Sequence, residues 1–192
     1  MKALREIAVV QVGYTFRSPP ASMATGDVAV IQPKNLSPEN KVDIGSLARV
    51  EMDVPKEHHL VKPGDLVFRS RGMKYTYTSA ILDEDPGAAV IAAPLFRIRV
   101  SDDRILPEYL NWLIRQPPAQ SFLAGQAKGT MQLMISKEAL ESLEVPIPSL
   151  ERQRAIVTLA SLGETEQALM NHIATKRQRM ISAQLIDMTK GE

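Results

Sequence analysis

The chain has 192 residues, enough for one ordinary domain with an appendage and too few for two full domains. Its 44% hydrophobic and 23% charged residues exclude intrinsic disorder as the default, and the lack of cysteine excludes disulfides, thiolate zinc sites and a cysteine nucleophile. A net charge of +1 neither requires nor excludes nucleic acid, because a phosphate-facing surface needs local rather than total positive potential.

The N-terminus, Met1-Lys2-Ala3-Leu4-Arg5-Glu6, lacks the apolar core of a signal peptide. No apolar run approaches the roughly 18 residues of a membrane span, so a soluble, cytoplasmic protein is expected. Short apolar runs rich in β-branched residues predict strands at Val28–Gln32, Asp65–Arg69, Ser79–Leu82, Ala88–Ile91 and Leu95–Val100. Leu106–Arg115 predicts a helix entered through Pro107 and halting before Pro117-Pro118, with a further turn or two over Ala119–Ala124. Tyr109, Trp112, Leu113 and Phe122 fit core positions at helical spacing. Ser136 is a plausible N-cap for a short helix that follows it.

All 13 prolines precede residue 150, and the chain changes character there. From Ser149 or Leu150 to the stop signal at Lys190-Gly191 the pattern is helical. Alternate steps of three and four give Leu159, Leu162, Glu166, Leu169, Ile173, Lys176, Met180 and Ala183, a coiled-coil-like seam with two polar interruptions. A helix of roughly 37 residues would be about 55 Å long and would need a partner for one apolar stripe. That partner is either a second helix or the chain's own domain, and Gly163 is a possible kink. The expected fold is therefore a mixed α/β domain over residues 1–150 followed by one long C-terminal helix over 151–192.

Charge is unevenly spread. Acidic residues are absent from Ile7–Gly26, Leu66–Leu82 and Tyr109–Lys137. The first window carries Tyr14, Thr15, Phe16 and Arg17; the second Arg69, Arg71, Lys74, Tyr75 and Tyr77; the third Lys128, Thr130 and Gln132 around Gly129. Arginine can hold guanine O6 and N7, and glutamine adenine N6 and N7, so these twelve residues are candidate DNA contacts. Strand-edge packing accounts for the tyrosines equally well. Candidates for catalysis are poor. Ser18-Pro19-Pro20-Ala21 faintly resembles the catalytic motif of amino-methyltransferases, but alanine stands where a ring would stack on the base. His58-His59 lacks a third ligand at metal spacing, and neither Gly125 nor Gly129 opens a phosphate-binding loop. No enzyme, metal or cofactor is expected.

Three stretches in order resemble one family, the specificity subunits of type I restriction–modification systems. They are Leu4-Arg5-Glu6-Ile7-Ala8 with Gly13-Tyr14-Thr15; Lys62 to Gly72, with its Gly64-Asp65; and Pro107-Glu108-Tyr109-Leu110 through Gly129-Thr130, Gln132, Ile135-Ser136 and Val145-Pro146-Ile147-Pro148 to Leu150-Glu151-Arg152-Gln153-Arg154. The chain departs in having Arg152 where the family usually has glutamate, and in length, since such subunits usually carry two recognition domains. The resemblance implies a half-subunit: a target-recognition domain reading double-stranded DNA without catalysis, in a phage-defence system. It implies methyltransferase subunits as partners and a restriction nuclease as a possible one. The stripe Leu159, Leu162, Leu169, Ile173, Met180 and Ala183 would then join two copies as a homodimer. The alternative is a truncated interaction subunit that binds methyltransferase or a full specificity subunit without reading DNA.

Overall fold

In Leu66-Val67-Phe68 three consecutive side chains are buried, Leu66 and Phe68 in one apolar cluster and Val67 in another. Successive strand residues point to opposite faces, so this strand is covered on both sides. The computed structural model that shows this describes residues 1–16, 26–53, 55–72, 78–129 and 133–189. In chain order its elements are β1 (Lys2–Ala3), β2 (Ala8–Val12), β3 (Val28–Ile31), β4 (Ala48–Val50), β5 (Leu66–Arg69), β6 (Arg71–Gly72), β7 (Ser79–Ile81), β8 (Ala89–Ile91) and β9 (Leu95–Val100). There follow α1 (Pro107–Ile114), α2 (Pro117–Gln126), β10 (Leu133–Met134), α3 (Lys137–Glu141), β11 (Glu144–Val145) and α4 (Leu150–Met188). The chain is thus mixed α/β with one long C-terminal helix, and it divides into two compact units, Met1–Arg154 and Ala155–Glu192.

The first unit holds two main sheets. One has four antiparallel strands in the order β2-β9-β5-β7, and the other three in the order β4-β3-β8, with β3 and β8 parallel. Leu66, Phe68, Phe96 and Ile98 of the larger sheet pack with Leu110 and Ile114 of α1, Leu123 of α2 and Leu140 of α3. Val67 and Ala80 share a second cluster with Ala29, Ile31, Ala89 and Ile91 of the smaller sheet. Val28, Val30 and Val90 form a third cluster, against which Tyr14, Phe16, Met52 and Leu60 pack. Alternation along β3 therefore serves two cores at once, which is why all four of its residues are buried. Among the described residues no helix is long and apolar enough to cross a membrane.

The five predicted strands are present, each within a residue of its expected bounds. The strands β1, β2, β4, β6, β10 and β11 are additional. The full length of β2 pairs with β9, from Ala8↔Val100 to Val12↔Phe96, so its edge and core faces alternate along Ala8-Val9-Val10-Gln11-Val12. Pro117-Pro118 do not merely end α1; they open α2, where a proline's missing N–H costs nothing because the first turn has no acceptor for it. Ser136 caps α3 by accepting a hydrogen bond from the Ala139 N–H at 3.2 Å. α4 runs unbroken through Gly163 and is 39 residues long, about 58 Å at helical rise.

Candidate nucleic-acid interface

The second and third acid-free windows meet through backbone pairing. In β5, Phe68 is fully buried and Arg69 exposed; Ser70 is buried and Arg71 exposed, so the two arginines flank a serine anchor. The Ser70 hydroxyl donates to the Pro94 carbonyl at 2.5 Å, and its own carbonyl accepts from the Ile135 N–H at 2.9 Å. β6 pairs antiparallel with β10, setting Arg71 opposite Met134. Met134 in turn exchanges both backbone hydrogen bonds with Lys128, at 3.0 and 3.1 Å. Arg71 and Lys128, distant in sequence, thus lie two strands apart on one narrow ribbon, both exposed. Gly129, at φ +121°, turns the chain just beyond Lys128 in a backbone region that L side chains avoid.

The first window reaches the same place by a different route. Tyr14 donates its N–H to the Ile91 carbonyl at 2.6 Å and accepts from the Ala93 N–H at 2.9 Å, while the Gly13 N–H donates to the Leu95 carbonyl at 2.9 Å. Arg69 lies opposite the same Leu95. The turn Ala92–Leu95 therefore joins the loop after β2 to the loop after β5 at one end of the larger sheet. A Cβ on Gly13 would stand 2.7 Å from the Ala92 backbone, so this glycine permits contact within the chain rather than approach to a phosphate.

Among the twelve candidate contacts, Thr15, Arg69, Arg71 and Lys128 are exposed. Tyr14 and Phe16 are half-buried, with ring centroids 5.0 Å apart, and pack against the third cluster. Arg17, Lys74, Tyr75, Tyr77, Thr130 and Gln132 lie outside the described residues, as does Ser18–Ala21. Among the described residues no ion pair joins Arg69, Arg71 or Lys128 to an acid.

Two other arginines have a different fate, which the sequence does not reveal. Arg97 is buried and donates to the carbonyls of His58 and Leu60 and to Gln11 Oε1, each at 2.8 Å. Arg99 grips the buried Asp65 carboxylate with two bonds of 2.7 and 2.6 Å and reaches the Leu60 carbonyl at 3.0 Å. Burial lowers the Arg97 pKa, with Arg99 adding to the effect; the hydrogen bond that Arg99 donates to Asp65 raises that of Arg99. Asp65 also accepts from the Lys62 N–H at 2.8 Å, closing the turn that contains Gly64 at φ +87°. The Gly-Asp pair is therefore a structural clasp. His59 sits beside this network, its Nδ1 3.1 Å from Gln11 Nε2 and its ring 5.6 Å from that of Tyr14. Burial, then the nearby His58, Arg97 and Lys56 charges, lower its pKa.

Gln153, in the most specific of the sequence motifs, is fully buried. Its Oε1 accepts from the Leu106 N–H at 2.9 Å, and its Nε2 donates to the Arg104 and Pro148 carbonyls at 2.7 and 2.9 Å. It ties the start of α4 to the approach to α1 within the first unit. Farther along α4 the predicted stripe is bare: Leu159, Leu162, Leu169, Ile173 and Met180 are 57–70% exposed, and Ala183 is exposed too.

No protein-family model matches the sequence, and no curated protein matches it. Solved structures do. The HsdS subunit from Thermoanaerobacter tengcongensis superposes with a TM-score of 0.63 over 89% of this chain, at 18% identity. A chain from the structural account of complex assembly and conformational transition of the type I R-M system gives 0.64 over 88%, at 18% identity. The type I restriction–modification S subunit from M. genitalium gives 0.55 over 92%, at 14% identity. This chain spans 38%, 38% and 42% of those three chains respectively. What it shares with them is the fold.

Proposed function

We propose that this chain is a DNA-reading specificity component of a type I restriction–modification system, non-catalytic, whose first unit reads one half of a bipartite target. The observation that carries the reading is the convergence of exposed Arg69, Arg71 and Lys128 on one end of the sheet, held there by Ser70, Met134 and the Ala92–Leu95 turn. Exposed cations that enter no ion pair among the described residues suit phosphate neutralisation and guanine recognition, whereas Arg97 and Arg99 are consumed by the fold. Shared architecture with S subunits supports the same role. In this reading the exposed stripe of α4 joins two copies, and methyltransferase subunits dock on the assembly in the cytoplasm.

Retardation of DNA duplexes by the purified chain across a salt series tests it. Binding that weakens steeply with salt, yet retains a preferred sequence under competitor DNA, is the expected result. A chain that retards no duplex but captures a methyltransferase subunit is instead the interaction subunit, the second reading that the bare stripe of α4 supports.

A further inference from the structure

Three exposed residues lie side by side on the ribbon of β6 and β10. Met134 exchanges both backbone hydrogen bonds with Lys128, at 3.0 and 3.1 Å, and stands opposite Arg71 in the β6–β10 pair. Both polar groups of its backbone therefore point toward Lys128, which makes Met134 and Arg71 a non-hydrogen-bonded pair, the kind whose side chains stand closest. Directly opposite residues in such a ladder share a face. Arg71, Met134 and Lys128 thus form one row on one face, with Met134 in the middle, and all three are exposed. The other face belongs to the body of the unit. There Ser70 and Ile135, one step along each strand, are buried and joined by the bond from the Ile135 N–H to the Ser70 carbonyl at 2.9 Å. The row spans about 10 Å of backbone, within the roughly 12 Å width of a DNA major groove, which admits a β-ribbon.

Met134 is apolar and yet 40% exposed. A lone exposed methionine is ordinary on a protein surface. This one is fixed by backbone pairing on both sides, and both of its cross-strand neighbours are cations. Its unbranched, polarisable side chain adapts to an apolar group that it meets at varied angles. The apolar group that base pairs present in the major groove is the 5-methyl of thymine. We propose that Met134 is a specificity-determining residue that reads a thymine by contact with its 5-methyl group, while Arg71 and Lys128 hold the DNA on either side. The inference rests on the DNA-reading role proposed above and adds a base identity and the residue that selects it.

Duplexes selected by the full chain from a random pool supply the probe. Each thymine of the selected motif is replaced singly by deoxyuridine, which pairs identically and lacks only the methyl group. Dissociation constants are then measured for the wild type, M134A, M134L and R71A. At one thymine the exchange should weaken wild-type binding about three- to fivefold, as burial of a single methyl group implies. M134A should bind the thymine duplex several-fold more weakly than the wild type and be indifferent to the exchange at that position. M134L should keep the sensitivity, and R71A should bind more weakly at every position while keeping it as well. Denaturant midpoints of M134A and the wild type should agree, because the side chain is exposed. A wild type indifferent to every exchange, or a selected motif without an A·T pair, overturns the proposal and leaves DNA reading standing. An M134A chain that keeps full sensitivity to the methyl group, or a wild type whose response M134L abolishes, likewise overturns the role of Met134. A chain that retards no duplex overturns the DNA-reading role itself and this inference with it.

Discussion

The two units handle the same kinds of residue in opposite ways. In Met1–Arg154, apolar side chains find cover from the chain itself: Phe68, Ile98 and Leu110 are fully buried, and Arg97 is largely buried with them. In Ala155–Glu192, leucines at heptad spacing remain more than half exposed. The first unit is therefore specified by its own contacts, whereas the apolar stripe of α4 has no cover among the described residues. Cations divide likewise within the first unit, where Arg97 and Arg99 hold the segment around Leu60 while Arg69, Arg71 and Lys128 enter no ion pair among the described residues.

Removing Phe68 should break the first unit most severely. Phe68→Ala opens a cavity between the larger sheet and its helices and should cost about 3–5 kcal/mol, read as a lowered midpoint in denaturant unfolding followed by tryptophan fluorescence. The corresponding double change in α4, Leu169→Glu with Ile173→Glu, should leave that midpoint almost unmoved, because exposed helix positions contribute little to folding. Light scattering should instead show the copies separated.

Gln153 sharpens the boundary between the regimes. Gln153→Leu strands the Leu106 N–H and two carbonyls without partners, and should destabilise the first unit by about 1–3 kcal/mol. Arg152→Ala, one residue earlier and exposed, should change stability by less than about 0.5 kcal/mol. Equal effects would mean that the motif acts through external contacts rather than through this clasp.

The division among arginines predicts separable losses in binding. Arg71→Ala should cost about 1–3 kcal/mol of DNA affinity if the side chain reads a base, and otherwise should weaken all sequences alike and reduce the salt slope. Folding stability should be unaffected. Arg99→Ala should do the reverse, unfolding the Asp65 clasp before any measured contact with DNA is lost. Retained DNA affinity in both Arg69→Ala and Arg71→Ala would remove this ribbon from the interface.

The smallest expected effect is on acid stability. The His59 pKa lies below its ordinary value in the folded chain, so the unfolded chain takes up the proton first. Stability from this residue is complete above about pH 6.5 and declines as pH falls below that value. His59→Gln should flatten the pH dependence between pH 5 and 7 in thermal unfolding.

Periodicity carried most of the fold. The β-branched runs mark β3, β5, β7, β8 and β9, and the heptad pattern marks α4, because each burial pattern is local. β2 escaped despite its valines, since its alternation is completed only by pairing with β9 far along the chain. Pro117 and Pro118 misled because proline ends one helix and begins the next by the same lost N–H. For the candidate site, the acid-free windows pointed to Arg69, Arg71 and Lys128 but not to their meeting. That depends on Ser70, Met134 and the Ala92–Leu95 turn, whose sequence is unremarkable. The clasp of Gln11, His59, Asp65, Arg97 and Arg99 was equally illegible, because its members are scattered over three segments.

Sequencing the duplexes that the purified chain selects from a random pool tests the central claim most directly. Two copies related by a two-fold axis present the same reading surface twice, so the selected sites should contain two inverted copies of one short motif separated by a fixed number of unread bases. A pool that emerges with no enriched motif, or with a single asymmetric one, would contradict it.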